Sequence, residues 1–303
     1  MSVLPRILVF GEAGQVAREL RRELSTLGDL VVVGRATPGL RADFDRPDEL
    51  AEVVARVAPQ VIVNAAAYTA VDNAEREEAM AFRVNAEAPA RLAAAAAACG
   101  ALMVHYSTDY VFDGEGERPY REDDPTGPRS AYGRSKLAGE QALRAIGCAH
   151  LVFRTSWVYG VHGHNFMRTI RRLAREREVL RIVADQHGAP TWSRHIAQAT
   201  AQVLARMLPN PGDWEACSGV YHLSSGGHTS WFEFAERIVA HQRQREPVMT
   251  TRIEPIATHE YPLPAPRPAW SVLDGTRLFE TFGVRLPAWH EALAQVQQDL
   301  DAI

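Results

Sequence analysis

Tyr132 and Lys136 stand four residues apart in the run Tyr132-Gly-Arg-Ser-Lys136. On a helix that interval puts both side chains on one face. An ammonium close to a phenol stabilises the phenolate and lowers a tyrosine pKa from its usual value of about 10. The same lysine can hold the ribose of a nicotinamide cofactor. Thr108 lies in Ser107-Thr-Asp-Tyr110, at the end of an apolar run, and its hydroxyl can hydrogen-bond a substrate oxygen. A proton donor beside a hydride donor is what reduction of a carbonyl requires. Tyr-x-x-x-Lys is common in isolation. Here it follows a Gly-x-x-Gly turn and a Ser-Thr strand end in a fixed order, which makes coincidence a poor account.

The glycine turn is Gly11-Glu-Ala-Gly14-Gln-Val-Ala17, placed directly after a strand pattern and opening a helical one. Glycines there let the backbone turn sharply and approach a pyrophosphate. The helix N-terminus offers free amides and a partial positive charge. Strand, glycine turn and helix in succession point to a dinucleotide. The second strand ends at Val33-Gly34-Arg35, where an acidic residue would take the ribose 2′-hydroxyl of NAD. None is present. Arg35 would meet a 2′-phosphate instead, which leans toward NADPH and leaves NADH open; the other reading of Arg35 is a solvated surface side chain. Asp43 and Phe44 can bracket an adenine. Ala65, Ala66 and Ala67, at the end of the third strand, leave room for a ribose or diphosphate.

These residues need a scaffold. The first half of the chain alternates short β-branched runs with longer helical patterns. Strands are expected at 6–10, 30–33, 61–63, 101–106 and 151–154, and helices at 14–24, 48–57, 86–99 and 135–146. Strands without polar alternation are buried on both faces, and helices between them make right-handed crossovers. The expected fold is α/β, a doubly wound, Rossmann-like parallel sheet with a smaller C-terminal substrate lobe. Residues 1–160 would form the dinucleotide-binding domain, completed by segments near 180–200 and 218–224. Residues 161–303 would be mostly the lobe. There, helices are expected at 165–176, 196–207 and 231–241 and strands at 180–183 and 220–223; the Pro-rich run 262–268 cannot be helix or central strand.

The 303 residues are 46% hydrophobic and 23% charged, with a net charge of -4. That is an ordinary globular balance. The mild acidic excess argues against nucleic acid as a partner. No apolar run approaches the ~20 residues of a membrane span, so no membrane partner is expected. The N-terminal apolar run is too short for a signal peptide. Cys99, Cys148 and Cys217 are odd in number and widely spaced. They suit neither a disulfide framework nor a metal knuckle and point to a reducing cytoplasm. His162 and His164 read as a polar loop over the site, and Trp192, Trp214, Trp231, Trp270 and Trp289 as packing residues.

The chain resembles the extended short-chain dehydrogenase/reductases, and among them the dTDP-4-dehydrorhamnose reductase family. The resemblance covers nearly the whole chain. It rests on Gly11-x-x-Gly14-Gln15-Val16, Asn64-Ala-Ala-Ala-Tyr-Thr-Ala-Val-Asp72, Ser107-Thr-Asp-Tyr-Val-Phe-Asp-Gly114, Tyr132-Gly-Arg-Ser-Lys-Leu-Ala-Gly-Glu140, Arg154-Thr-Ser-Trp-Val-Tyr159, Asp185-Gln-His-Gly-Ala-Pro-Thr191 and Tyr221-His-Leu223. It implies Tyr132 as proton donor, Lys136 as its partner and cofactor ligand, and Thr108 as the hydroxyl that tunes the site. It implies Gly14, Gln15 and Val16 at the pyrophosphate and neighbouring ribose, with Gly11 in the same turn. Asp43 and Phe44 would flank the adenosine, and Ala65, Ala66 and Ala67 the cofactor backbone. Val71, Asp72, Asp109, Tyr110 and Trp157 would line a sugar-nucleotide pocket, and Arg267 would reach a substrate phosphate. The implied reaction is hydride transfer from NADPH or NADH to C4 of dTDP-4-dehydro-L-rhamnose, the last step of nucleotide-sugar synthesis for cell-surface polysaccharide.

Some members of that family pair around a magnesium ion, using a carboxylate just beyond Gly-Ala-Pro-Thr. Arg194 stands near that place here, so no metal is expected, and a homodimer is left open. Two rival readings remain. One is a sugar-nucleotide epimerase or 4,6-dehydratase; dehydratases of this group tend to follow the threonine with Asp-Glu, whereas here Asp109 is followed by Tyr110. The other is a non-catalytic NADP-binding regulatory subunit, like the beta subunit of methionine adenosyltransferase, against which an intact Thr108, Tyr132 and Lys136 argue.

Overall fold

Six parallel strands form the central sheet of the computed structural model, which describes residues 4–301. Residues 1–3 and 302–303, included in the expected domain boundaries, lie outside the described residues. The strands β1 (Arg6–Phe10), β2 (Asp29–Val33), β3 (Val61–Asn64), β4 (Leu102–Thr108), β5 (His150–Thr155) and β6 (Gly219–His222) lie in the order β6-β5-β4-β3-β1-β2. The chain leaves β1 toward β2 on one side and resumes at β3 on the other. That reversal opens a crevice at the carboxyl ends of β1 and β3, where open α/β sheets bind ligands.

Helices cover both faces. On one face α2 (Leu50–Val57), α3 (Ala88–Cys99) and α4 (Ala131–Ile146) pack Val54, Leu92 and Leu143 against Leu8, Phe10 and Ile62. The opposite face carries α1 (Gln15–Glu23). The chain returns to it as α6 (Ser193–Met207), after the lobe helix α5 (Phe166–Glu176). Leu20 of α1 and Ile196 and Leu204 of α6 join Ile7, Val9 and Val61 there. Burial on both faces is why the strand residues are uniformly apolar.

The remaining segments build a second core. α5 and α7 (Trp231–Arg243) contribute Met167, Phe234 and Ile238, and Trp289 and Val296 come from the last helix. That last helix is α9 (Trp289–Asp301); α8 (Thr276–Phe282) instead sends Leu278 and Phe282 into the core of the main sheet. The strand expected at 180–183 forms, as Val179–Val183, but it pairs in parallel with Arg252–Ile256 rather than entering the main sheet. β6 does enter it, beside β5.

α4 begins four residues earlier than expected, because Ser130 caps it by accepting from the Gly133 backbone N–H. Tyr132 therefore sits in its first turn. Before α3 the chain makes a short helix at Glu78–Phe82 and one π turn at Arg83–Glu87. Gly139 of α4 lies against this turn, since a Cβ there would collide with the Asn85 carbonyl. Among the described residues, no helix is long and apolar enough to cross a membrane, and the three cysteines are unbridged.

Candidate active site

α4 and the end of β4 bring Tyr132, Lys136 and Thr108 together at the carboxyl edge of the sheet. Lys136 is buried, and its Nζ donates to the Tyr106 carbonyl at 2.6 Å and lies 3.4 Å from His105 Nε2. The other ring nitrogen of His105 meets the Asn64 amide at 3.1 Å. Burial, reinforced by the Lys136 charge, holds the His105 pKa well below its usual value, so the ring is neutral. Burial also lowers Lys136 to about 8, against an opposing pull from Glu140.

Tyr132 differs from expectation. Burial pushes its phenol up to about 12, and the Thr108 hydroxyl, hydrogen-bonded to it, offsets only part of that. The lysine does not lower it, because the ammonium is committed to the Tyr106 carbonyl and faces His105. Tyr110 lies edge-on to the Tyr132 ring, with centroids 5.7 Å apart.

Thr108 Oγ1 donates to Asp109 Oδ1 at 2.9 Å and accepts from the Tyr110 backbone N–H at 3.2 Å. Ser156 Oγ donates to the other Asp109 oxygen at 3.0 Å. Asp109 is buried, and burial raises its pKa to about 6 despite hydrogen bonds from Ser271, Thr108 and Ser156. Asp109, expected in the wall of a sugar-nucleotide pocket, is thus buried behind the Thr108 and Ser156 hydroxyls.

Two residues that the sequence motifs contain, but to which no role was given, fix α4 against the strands. Glu140 and Arg154 form a buried ion pair at 2.7 Å. Ser107 donates to Glu140, and Arg154 also donates to the Glu122 carbonyl and lies over the Phe112 ring.

Asp72 begins the second residue of a short helix, Val71–Ala74, with both side chains half-buried. Arg267 Nη2 donates to Asp72 at 2.7 Å, and the Ala265 backbone N–H donates to its other oxygen. The Pro-rich loop is thereby tied to that helix. Arg267 Nη1 is buried without a partner, and the guanidinium carbon is 6.0 Å from the Tyr110 ring. Trp157 has φ +45°, in the left-handed region, and stacks flat on Trp231 at 3.4 Å. Trp231, read from sequence as packing alone, is the partner that holds Trp157 in place.

At the cofactor end, Gly11 has φ +121°, and a Cβ there would come within 3.2 Å of the Ala65 carbonyl. Gly14 is the N-cap of α1, and no side chain caps its first-turn amides. Those free donors suit a pyrophosphate. Gln15 accepts from Asn165 at 2.8 Å, so the loop carrying His162 and His164 lies against the turn. Val16 packs on the adjoining core. A cavity of about 270 Å³ is lined by Gly11, Glu12, Arg35, Phe44, Ala66 and Ala67 among others. Phe44 is held edge-on to Phe10.

Arg35 is 70% exposed and pairs with Asp43 at 3.2 Å; Arg41 reaches the same carboxylate at 3.0 Å. Burial raises Asp43, but the Asp45 backbone N–H, the Arg41 hydrogen bond and both guanidinium charges outweigh it and hold it below the usual value. The sequence reading found no acid at the end of β2. In space there is one. Glu12 folds over Gly34 and accepts from Thr37 Oγ1 at 2.8 Å, and Gly34 N–H donates to that same hydroxyl at 2.8 Å.

Arg194 also has carboxylate partners. Its guanidinium pairs with Glu19 of α1 at 3.2 Å and with Asp299 of α9, and stacks on Trp192. Among the described residues, no three His, Cys, Asp or Glu side chains gather as metal ligands would.

The family model described as the RmlD substrate binding domain matches residues 5–302. A dTDP-4-dehydrorhamnose reductase of Burkholderia thailandensis is 51% identical over 298 residues, covering 97% of this chain and 99% of that protein. The protein of the same description from Escherichia coli K12 is 41% identical over 97% of each chain. Among solved structures, the dTDP-4-dehydrorhamnose reductase of Bacillus anthracis in complex with NADP superposes with a TM-score of 0.86. It is 32% identical and covers 97% of this chain and 99% of that one.

Proposed function

The chain belongs to the RmlD substrate binding domain family, and from that premise we propose the residue roles that follow. The reaction is the NADPH-dependent reduction of the C4 ketone of dTDP-4-dehydro-L-rhamnose to dTDP-L-rhamnose. The observation that carries the roles is the meeting of Tyr132, Thr108 and the buried Lys136 ammonium at the carboxyl edge of the sheet, with Tyr132 one turn before Lys136 on the same helix. The uncapped α1 amides and the cavity beside them fit a dinucleotide. Bound there, NADPH supplies the hydride.

Tyr132 Oη gives its proton to the oxygen at C4. With a pKa pushed up to about 12, the phenol is protonated throughout the neutral range, as an acid catalyst must be before it acts. Lys136 holds the nicotinamide ribose with an ammonium that the Tyr106 carbonyl keeps in place. Thr108 places its hydroxyl beside the phenol, and Asp109 accepts the Thr108 hydroxyl proton and so fixes its direction. Gly11, Gly14, Gln15 and Val16 hold the pyrophosphate, and Phe44, Asp43 and Ala65 to Ala67 line the adenosine half. Val71, Asp72, Tyr110 and Trp157 bound the sugar-nucleotide pocket, where the free Arg267 Nη1 meets a phosphate oxygen.

Tyr132→Phe removes the proton donor alone. Turnover with the ketosugar should fall by at least about 100-fold, while NADPH binding is retained. Activity near that of the unmodified chain would refute the role. The dehydratase reading lacks its second carboxylate, since Tyr110 fills that place against Tyr132.

A further inference from the structure

We infer that Glu12, reaching over from the glycine turn, is the acidic group that reads the 2′ position of the adenosine ribose, and that it moderates the preference for a 2′-phosphate. The inference rests on the reading of this site as one for a nicotinamide dinucleotide. In such folds a carboxylate at the end of the second strand accepts from the ribose 2′-hydroxyl and disfavours a 2′-phosphate. Here that strand position is Gly34, which has no side chain.

The space Gly34 leaves is filled from another segment. A Cβ at Gly34 would lie within 2.7 Å of the Glu12 carboxyl carbon, so the glycine is what lets the carboxylate settle there. Two hydrogen bonds fix it in place: Gly34 N–H to Thr37 Oγ1, and Thr37 O–H to Glu12 Oε1, each 2.8 Å. The hydroxyl proton of Thr37 is thus committed to the carboxylate. Glu12, Gly34 and Arg35 line one and the same cavity, together with Phe44.

Arg35 does not face that cavity as an unopposed cation. Its Nε lies 3.2 Å from Asp43, whose other oxygen takes Arg41. A 2′-phosphate arriving here gains two guanidinium groups only in competition with Asp43, and it meets the fixed charge of Glu12 at close range. A 2′-hydroxyl meets an acceptor already oriented. The two opposed devices bring the affinities for the phosphorylated and unphosphorylated dinucleotides close together.

Equilibrium titration of the full chain with NADP+ and with NAD+, followed by calorimetry, tests this without turnover. The unmodified chain should bind both with dissociation constants within about tenfold of each other. Glu12→Gln keeps the shape and the Thr37 contact but removes the charge. It should tighten NADP+ by at least about fivefold and leave NAD+ equal or weaker, because a repulsion at contact distance has been removed. Thr37→Val releases the carboxylate and should move the ratio in the same direction by a smaller factor. A ratio of the two constants that stays within about twofold in Glu12→Gln overturns the assignment. So does failure of the unmodified chain to bind either dinucleotide. Binding that behaves as described, with no turnover of the ketosugar, would count against the proposed reduction and not against the role of Glu12.

Discussion

Lys136 carries its charge where water does not reach, and that fixes how the site responds to pH. Its folded pKa of about 8 lies below the ordinary 10.5. A base lowered in this way contributes stability above its unfolded pKa and loses it as pH falls through the folded value, so at pH 7 the buried ammonium is a cost. In the proposed role the same ammonium holds the nicotinamide ribose. The value of kcat/KM should therefore decline as pH rises through about 8, measured with the ketosugar at saturating NADPH. Asp109 behaves oppositely. Its folded pKa of about 6 lies above the usual 3.8, so its contribution is full below the unfolded value and is lost as pH rises through 6. Asp109→Asn should unfold at higher urea than the unmodified chain at pH 8, by up to roughly 3 kcal/mol for two pKa units. Near pH 3.5 the difference should vanish; an equal gain at both pH values would show that ionisation is not its source. Tyr132, Lys136 and Thr108 were legible from spacing because helix and strand geometry dictates which residues share a face. The lysine's engagement with the Tyr106 carbonyl was not, since spacing says nothing about a backbone oxygen on the next strand.

α4 carries Tyr132 and Lys136, and its position on β4 and β5 depends on the Glu140–Arg154 pair. Both partners are almost wholly buried, so neither charge is solvated if the other is removed. Arg154→Met should destabilise by about 3–5 kcal/mol in urea unfolding. Adding Glu140→Leu should recover more than half of that, because replacing both charges removes the orphan. If the double variant is no more stable than the single, the pair is not what pins the helix. The sheet strands were readable as apolar runs because helices bury both of their faces. Arg252–Ile256 was not: only Ile256 is fully buried, and Pro255 argues against a ladder. α9 went unread although Trp289, Ala292, Leu293 and Val296 follow helical spacing, with polar residues between them. Val71–Ala74 is too short to carry any period. Gly34 is the subtler case, since a missing side chain on a strand end conceals the Glu12 carboxylate that occupies its space.

Across the molecule, a net charge of -4 must accommodate two anionic ligands, a dinucleotide and a nucleotide sugar. Overall charge cannot draw them in, so local cations must. The cofactor side has the uncapped N-terminus of α1 and Lys136. On the substrate side, Arg267 reaches from the Pro-rich loop to Asp72, 195 positions away in the chain. That contact ties the Pro-rich loop to the short helix Val71–Ala74, which is why local sequence could suggest the arginine but not its partner. One guanidinium nitrogen stays on Asp72 while the other, buried and unpartnered, has a donor to offer. A buried donor left unpaired is costly, and an incoming phosphate oxygen would remove that cost. Arg267→Ala deletes both the latch and the charge-assisted hydrogen bond. Such a bond contributes about 1.5–3 kcal/mol, so KM for the ketosugar should rise roughly 10- to 100-fold. The dissociation constant for NADPH should stay unchanged, because the latch lies away from the glycine turn. Arg267→Lys should restore only part of the loss, since one ammonium cannot hold Asp72 and a phosphate with a guanidinium's fixed fork. A KM for Arg267→Ala equal to that of the unmodified chain would remove Arg267 from the substrate site and leave it as a tie between the Pro-rich loop and the short helix.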